Sequence, residues 1–347
     1  MKKILSTRRN FIKKTAATTG LAAFGTYGLT AAPSVKEMAK REKLPREIWI
    51  AGISQMDLQT KTPQLMVDEM VRLVNQVLSY QPDIICLPET FVSANTGYRP
   101  SLSEKLEISE VAVQRFSAIA KENHCYIICS VFSSEGGKAY NAGIVLDRLG
   151  TRIGEYRKIH PTIGEIESGI FPGPFDAPVF QADFGKFGIQ ICYDIYWNDG
   201  WVTLRDKGAE LVFWPSAFAA GQRVNMKAAE YGYVVASSTQ KNTAKICDIT
   251  GQEVTHTGEW DRGFYCGLVN LEKVRVDVWP HFRSFNDIRK KYGRKVMISI
   301  MHEEQWSVIE SLSPDVFVAD IVKEFDLKTF NQDVLEAEAA QIKARQG

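Results

Sequence analysis

Eight short runs of apolar, β-branched and aromatic residues constrain this fold more than any other feature. They read IWIAGISQM, DIICLPET, CYIICSVF, YNAGIVLD, FGIQICYDI, AELVFWPSAF, YVVASST and FYCGLVNL. Runs of this length and composition form strands. Segments of helical period separate several of them. Thr62-Pro63 supplies a cap followed by proline in the first turn, and Met66, Met70, Leu73 and Val77 then recur on one face. A second helix is expected to open at Ser109-Glu110, with Ala112, Phe116 and Ala120 on one face. A third is expected from Asn198 to Lys207 and a fourth from Gln222 to Tyr231. Strands mixed with helices imply an α/β or α+β fold whose sheet faces are covered by helices. With 347 residues, 45% of them hydrophobic, the chain can bury a large core. No internal repeat is visible.

The ends differ from the middle. STRRNFIKK places Arg8 and Arg9 before Phe11, Lys13 and Lys14, and the weakly apolar TAATTGLAAFGTYGLTAA follows. A basic start, a modest apolar centre and small residues at the end describe an export signal over 1–32, and the arginine pair makes it resemble a twin-arginine signal. Its expected partner is the twin-arginine export machinery, and its destination periplasmic or extracellular, anchored if the signal is retained. A charged linker occupies 33–46. From 276 to 347 the chain turns aromatic and basic, then polar and alanine-rich. SPDVFVADIVKEF opens with a good helix start, and TFNQDVLEAEAAQIKARQG reads as a further helix. This arm is expected to pack on the main domain or on a partner subunit. Six cysteines in so long a chain are not a disulfide framework. A formal net charge of +1 gives no reason to expect nucleic acid as a partner, and the five histidines show no metal-ligand spacing.

Three strand ends finish with a reactive side chain: Glu89 in DIICLPET, Lys158 in RIGEYRKIHP and Cys192 in GIQICYDIYW. Side chains just beyond strand ends can converge on one edge of a sheet. Singly, each has a plain reading: a turn acid, a surface charge, a core thiol. Together LPE, YRKIHP, and FGKFGIQICYD followed by GAELVFWPSAF resemble the nitrilase superfamily of carbon–nitrogen hydrolases, from about Ile48 to Leu271 and in that family's order. The resemblance implies a four-layer α-β-β-α sandwich over 47–275 with a C-terminal extension. It also implies a homodimer or larger homo-oligomer, and a catalytic trio carried here by Glu89, Lys158 and Cys192. Family members often carry a further glutamate. Glu165, seven residues after Lys158, fits that place better than its rival Glu167, and would orient Lys158 or the substrate. Two departures stand out. Lys227-Ala228-Ala229-Glu230-Tyr231 replaces the family's Arg-Ala-x-Glu-Asn, and Ile195-Tyr196-Trp197 stands where Arg-Phe is usual after Cys-Tyr-Asp.

The residue types suit the chemistry independently. An amide or nitrile carbon is a weak electrophile and needs a thiolate. Glu89 can take the Cys192 proton and later serve as acid and base. Lys158 and the Tyr193 backbone N–H can face the developing oxyanion. The thioester so formed divides one difficult step into two, and no metal or organic cofactor is needed. Asp194 is expected to orient the turn, and His160 to stand behind it. Cys-Tyr-Asp resembles the amidase side of the family, which favours a small amide or N-carbamoyl substrate over a nitrile. Trp197, Trp214 and Phe218, with Phe171 and Tyr196, either line an apolar pocket or fill the core beside it. Two readings stand against a hydrolase: an acyltransferase, and an exported binding protein that uses the scaffold without chemistry.

Overall fold

The structure is a computed structural model that describes Leu44 and residues 46–346. The export signal expected over 1–32, and nearly all of the linker 33–46, lie outside the described residues. Alternation along the apolar runs builds the layers. In β2 (Ile84–Cys86), Ile84 and Cys86 enter one core while Ile85 enters the other. In β3 (Tyr126–Glu135), Tyr126 and Ile128 take the first side, and Ile127, Cys129 and Val131 the second. Successive strand side chains point to opposite faces, so a sheet apolar on both faces must be covered twice.

The first sheet contains β1 (Glu47–Ile53), β2, β3, β4 (Lys138–Leu146), β5 (Arg152–Arg157) and the late strand β12 (Phe264–Asn270), in the order β12-β1-β2-β3-β4-β5. The second contains β6 (Val179–Ala182), β7 (Gly185–Ile189), β8 (Leu211–Ser216), β9 (Val234–Thr239), β10 (Lys245–Cys247) and β11 (Glu253–His256), in the order β11-β10-β9-β8-β7-β6. Helices α1 (Pro63–Val77) and α2 (Leu102–Asn123) share one core with the outer face of the first sheet. Helices α4 (Asp199–Asp206) and α5 (Gln222–Tyr231), which follow the short α3 (Ile163–Glu167), cover the second. The two sheets meet face to face. A Cβ on Gly143 would lie 3.1 Å from Ile189, the Ser238 hydroxyl donates to the Ile53 carbonyl at 2.8 Å, and Ser54 bridges Thr239 in parallel. This is the α-β-β-α sandwich the resemblance implies.

Both sheets repeat one pattern. The first runs antiparallel, parallel, parallel, antiparallel, antiparallel from β12 to β5, and the second does the same from β6 to β11. Each parallel trio is joined by two helices, as right-handed crossovers require of parallel strands. This duplication of topology was invisible in the sequence.

Three expectations need correction. Helix α2 opens eight residues before Ser109, where the Ser101 and Glu104 side chains each bond the other's backbone in a capping box. Ser109 sits inside it, accepting from Phe132 N at 3.1 Å. The Ser313-Pro314-Asp315 start does not open a helix; α7 begins at Val318, whose amide donates to Glu272 at 2.8 Å. The arm is more than helices. It holds a three-stranded antiparallel sheet of β13 (Lys273–Asp277), β14 (Val296–Met301) and β15 (Trp306–Ser311), ordered β13-β15-β14. With α6 (Val278–Tyr292) and α7 (Val318–Glu324) this sheet forms a small core of its own around Val276, Phe285, Ile288 and Ile309. Helix α8 (Phe330–Gln346) ends the described chain.

Candidate active site

The polar end of the sandwich gathers four strand ends. β1, β2 and β3 run parallel, and two antiparallel steps return β5 to the same direction. Glu89, beyond β2, and Lys158, directly after β5, therefore emerge at the same edge. The parallel pair β7 and β8 brings out Cys192 and Ser216 from the second sheet.

Lys158 is the hub. Its Nζ lies 2.7 Å from Glu89 Oε1, and 3.0 and 2.8 Å from Glu165 Oε1 and Oε2. Asn141 Nδ2 donates to both glutamates at 2.8 Å. Lys158 is 1% exposed and Glu89 4%. Burial opposes the ammonium charge, but Glu89, Cys192 and Glu165 outweigh it and raise its pKa above the ordinary lysine value. Burial alone would raise Glu165, yet Lys158, Asn141 and the Thr162 amide together lower it. Glu165 also caps α3 by accepting from Thr162 N at 2.7 Å. Glu167 is exposed on the same short helix, so the structure places Glu165 in the cluster and its rival outside it. The second oxygen of Glu89, Oε2, is buried and has no hydrogen-bond partner among the described residues.

Cys192 closes the group from the other sheet. Its φ of +45° lies in the left-handed region, unusual for a residue with a Cβ. Such a conformation persists only where surroundings hold it, and it is typical of functional turns. Asp194 does the holding: its buried carboxylate accepts from Ile191 N at 2.8 Å, His160 N at 2.8 Å and Tyr156 OH at 2.7 Å. His160 Nδ1 lies 3.0 Å from the same group and Nε2 3.2 Å from Asp199. Gly188 makes room for this strand end, since a Cβ there would strike Leu204 of α4 at 2.4 Å. Burial first and the Glu89 charge second push the thiol up to about 12, while Lys158, the Ala217 amide and the Ser216 hydroxyl pull it down. The resting sulfur is thus a thiol that needs a base at the moment of attack. Burial also raises Cys125 and Cys247. Cys192 differs from them in having Glu89 and Lys158 beside it.

The expected pocket wall is rearranged. Trp214 is fully buried, and its indole N–H donates to the Cys192 carbonyl at 3.2 Å. It supports the backbone behind the thiol and lines no pocket, which corrects its placement as a substrate contact. Trp197 is 38% exposed and stacks on His160 with ring centroids 4.2 Å apart. Phe218 lies 5.6 Å from Trp214 and 6.5 Å from Tyr196. The Tyr193 ring packs edge-on against Tyr196 and Trp197, leaving its backbone N–H in the first turn of a helix that offers it no partner. Lys227 is buried and reaches Asn198 Oδ1 at 2.6 Å and the Trp197 carbonyl at 3.2 Å, so it ties down the loop beyond the cysteine. Sequence reasoning missed Asn141, although an asparagine inside the apolar run YNAGIVLD was a signal. It also missed Gln240, whose amide donates to the Glu89 carbonyl.

A sandwich of this type with such a cluster defines a carbon–nitrogen hydrolase scaffold, and comparison agrees. The carbon-nitrogen hydrolase family model matches residues 50–276, more than half of the chain. The protein belongs to the carbon–nitrogen hydrolase family. Among similar curated proteins, the omega-amidase NIT2 of Xenopus tropicalis is 32% identical over 156 residues, covering 42% of this chain and 56% of that protein. Deaminated glutathione amidase of Dictyostelium discoideum is 27% identical over 163 residues, with coverages of 42% and 56%. A nitrilase of Pyrococcus abyssi is 29% identical over 168 residues, with coverages of 47% and 62%. The chain thus spans less than two thirds of the length of these relatives. The crystal structure of an amidase from Nesterenkonia sp. shares the fold, with a TM-score of 0.58, 19% identity, 66% of this chain covered and 92% of that one.

Proposed function

We propose that the protein hydrolyses a non-peptide C–N bond of a small amide or N-carbamoyl compound through a thioester on Cys192. The observation that carries this reading is the buried Glu89–Lys158 pair acting on a thiol held in a strained turn, with one Glu89 oxygen left without a partner. In the first step Glu89 accepts the thiol proton as Sγ bonds the carbonyl carbon. Lys158 and the Tyr193 N–H meet the oxyanion. Glu89 returns the proton to the departing nitrogen, so the C–N bond breaks and ammonia or an amine leaves. Water then gives its proton to Glu89 and attacks the thioester, and the thiol is restored as the acid departs. Asn141 and Glu165 fix Lys158 for both halves of the cycle.

Amide substrates are favoured by Cys-Tyr-Asp and by the two amidases among the relatives; another structure of the Nesterenkonia enzyme carries butyramide. The related nitrilase keeps nitriles in the panel. Purified protein offered small amides, carbamoyl amino acids and nitriles should release ammonia from the amides first. Cys192→Ala should lower that rate by at least about 10⁴-fold, and a rate that survives the change rules out the thioester. We propose further that 1–32 directs twin-arginine export and that the enzyme is a homo-oligomer. Replacing Arg8 and Arg9 by lysine should hold the protein inside a bacterial host, and light scattering should give a mass above one chain.

A further inference from the structure

A second buried cation lies apart from this cluster. Arg275, on β13, is 3% exposed. Its Nη1 donates to the carbonyls of Ala229 and Ile249. The guanidinium lies between two rings, 3.6 Å from the Phe330 centroid and 4.3 Å from that of Trp306. Its Nε and Nη2 are buried without a hydrogen-bond partner, and so is the Trp306 indole nitrogen. Nε and Nη2 form one edge of the guanidinium, the two parallel donors that grip a carboxylate side-on. No carboxylate among the described residues forms an ion pair with Arg275; Asp277 acts on it only at longer range, and burial leaves its pKa at about 10.

The side chain borders a crevice of about 190 Å³ between β13 and the start of α8. The other charges on its lining are matched: Lys273 pairs with Asp248 at 2.6 Å, and Glu210 with Arg46. One positive charge is therefore left over. Ala209, Ile249, Leu271, Val274 and Phe330 supply apolar wall. A single unmatched cation with a free fork and an apolar surround suits a monoanion with a short hydrocarbon part.

We propose that this crevice is a binding site for a small aliphatic carboxylate, held side-on by Arg275 Nε and Nη2. Asn331 borders the same crevice, and its buried Oδ1 has no partner. A Cβ on Gly232 would lie 3.4 Å from Arg275 Nη2 and 3.6 Å from Asn331 Oδ1, so both atoms face that spot. An aspartate at 331 would set a tethered carboxylate beside the fork.

The test is calorimetric titration of the full chain with sodium butyrate, against phosphate and chloride at matched ionic strength. Wild type should bind butyrate saturably, and phosphate at least tenfold more weakly. R275K, which keeps the charge and loses the fork, should bind butyrate at least tenfold more weakly. N331D should abolish the event while leaving amide hydrolysis unchanged, which shows that the variant is folded. Butyrate resembles a product of the proposed reaction, so binding that ignores both substitutions belongs to the Cys192 site and overturns the proposal. Equal affinity for phosphate overturns the carboxylate assignment. No saturable heat means that water alone satisfies the fork, and the site is then lost as well.

Discussion

Lys158 and Arg275 are both cations taken almost wholly out of water, at 1% and 3% exposure, yet their surroundings differ in kind. Lys158 sits among two glutamates and an asparagine, and its affinity for the proton rises. Arg275 has two carbonyls and two aromatic faces, and its affinity falls. Desolvation takes several kcal/mol per ion. A carboxylate at 2.7–2.8 Å offsets on the order of 6 kcal/mol at an effective dielectric near 20, so two such partners hold an ammonium firmly while carbonyl and ring contacts only limit the loss. The comparison teaches that burial by itself does not make a charge useful. What surrounds it decides whether it is a fixed electrostatic tool or a group still short of a partner.

Lys158→Met should test the contrast most severely. It strands two buried carboxylates, so the variant should lose about 3–5 kcal/mol of stability in urea and about 10³-fold in kcat. Glu89→Gln comes next and moves Lys158 toward the condition of Arg275. Turnover should fall by roughly 10²–10⁴-fold. Because the Glu89 charge is one of the causes raising the Cys192 thiol, its removal should shift the pH profile of iodoacetamide alkylation downward from about 12; an unmoved or raised midpoint contradicts the electrostatic assignment. Arg275→Met should cost only about 1–2 kcal/mol, the value of lost hydrogen bonds and ring contacts. A loss equal to that of Lys158→Met would erase the distinction between the two cations. Smallest is Glu165→Gln. The folded pKa of Glu165 is depressed, so its contribution is complete above the unfolded value near 4.3 and disappears as pH falls through the lower folded value. The variant should match wild-type stability at low pH and fall below it as the medium approaches neutrality. The gap should be about 1 kcal/mol, because the group is partly exposed.

Much of the chemistry was legible because strand ends are local. Glu89, Lys158 and Cys192 each close an apolar run, and parallel strands bring such ends to one edge. Glu165 could be preferred to Glu167 by spacing, and its capping bond with Thr162 gives that spacing a physical cause. Trp214 was less readable. Its alternation within AELVFWPSAF shows that it is buried somewhere, but not that its indole turns back to the Cys192 carbonyl. The Ser101 cap was missed because eight polar-rich residues of α2 precede its apolar face. Topological duplication of the sheets left no trace, since equal strand order requires only equal hydrophobic rhythm, not similar residues. The unpartnered edge of Arg275 could not be read from VRVDVW at all, because it depends on β15 and α8 arriving from far along the chain.

One sheet supplies the sulfur, and the facing sheet supplies both the carboxylate and the ammonium. Neither half of the duplicated topology owns a working centre, so turnover begins only once the two have docked. Recovered hydrolysis during refolding is therefore a stopwatch for that docking event, and a cut in the chain between them should silence the enzyme the moment the halves drift apart.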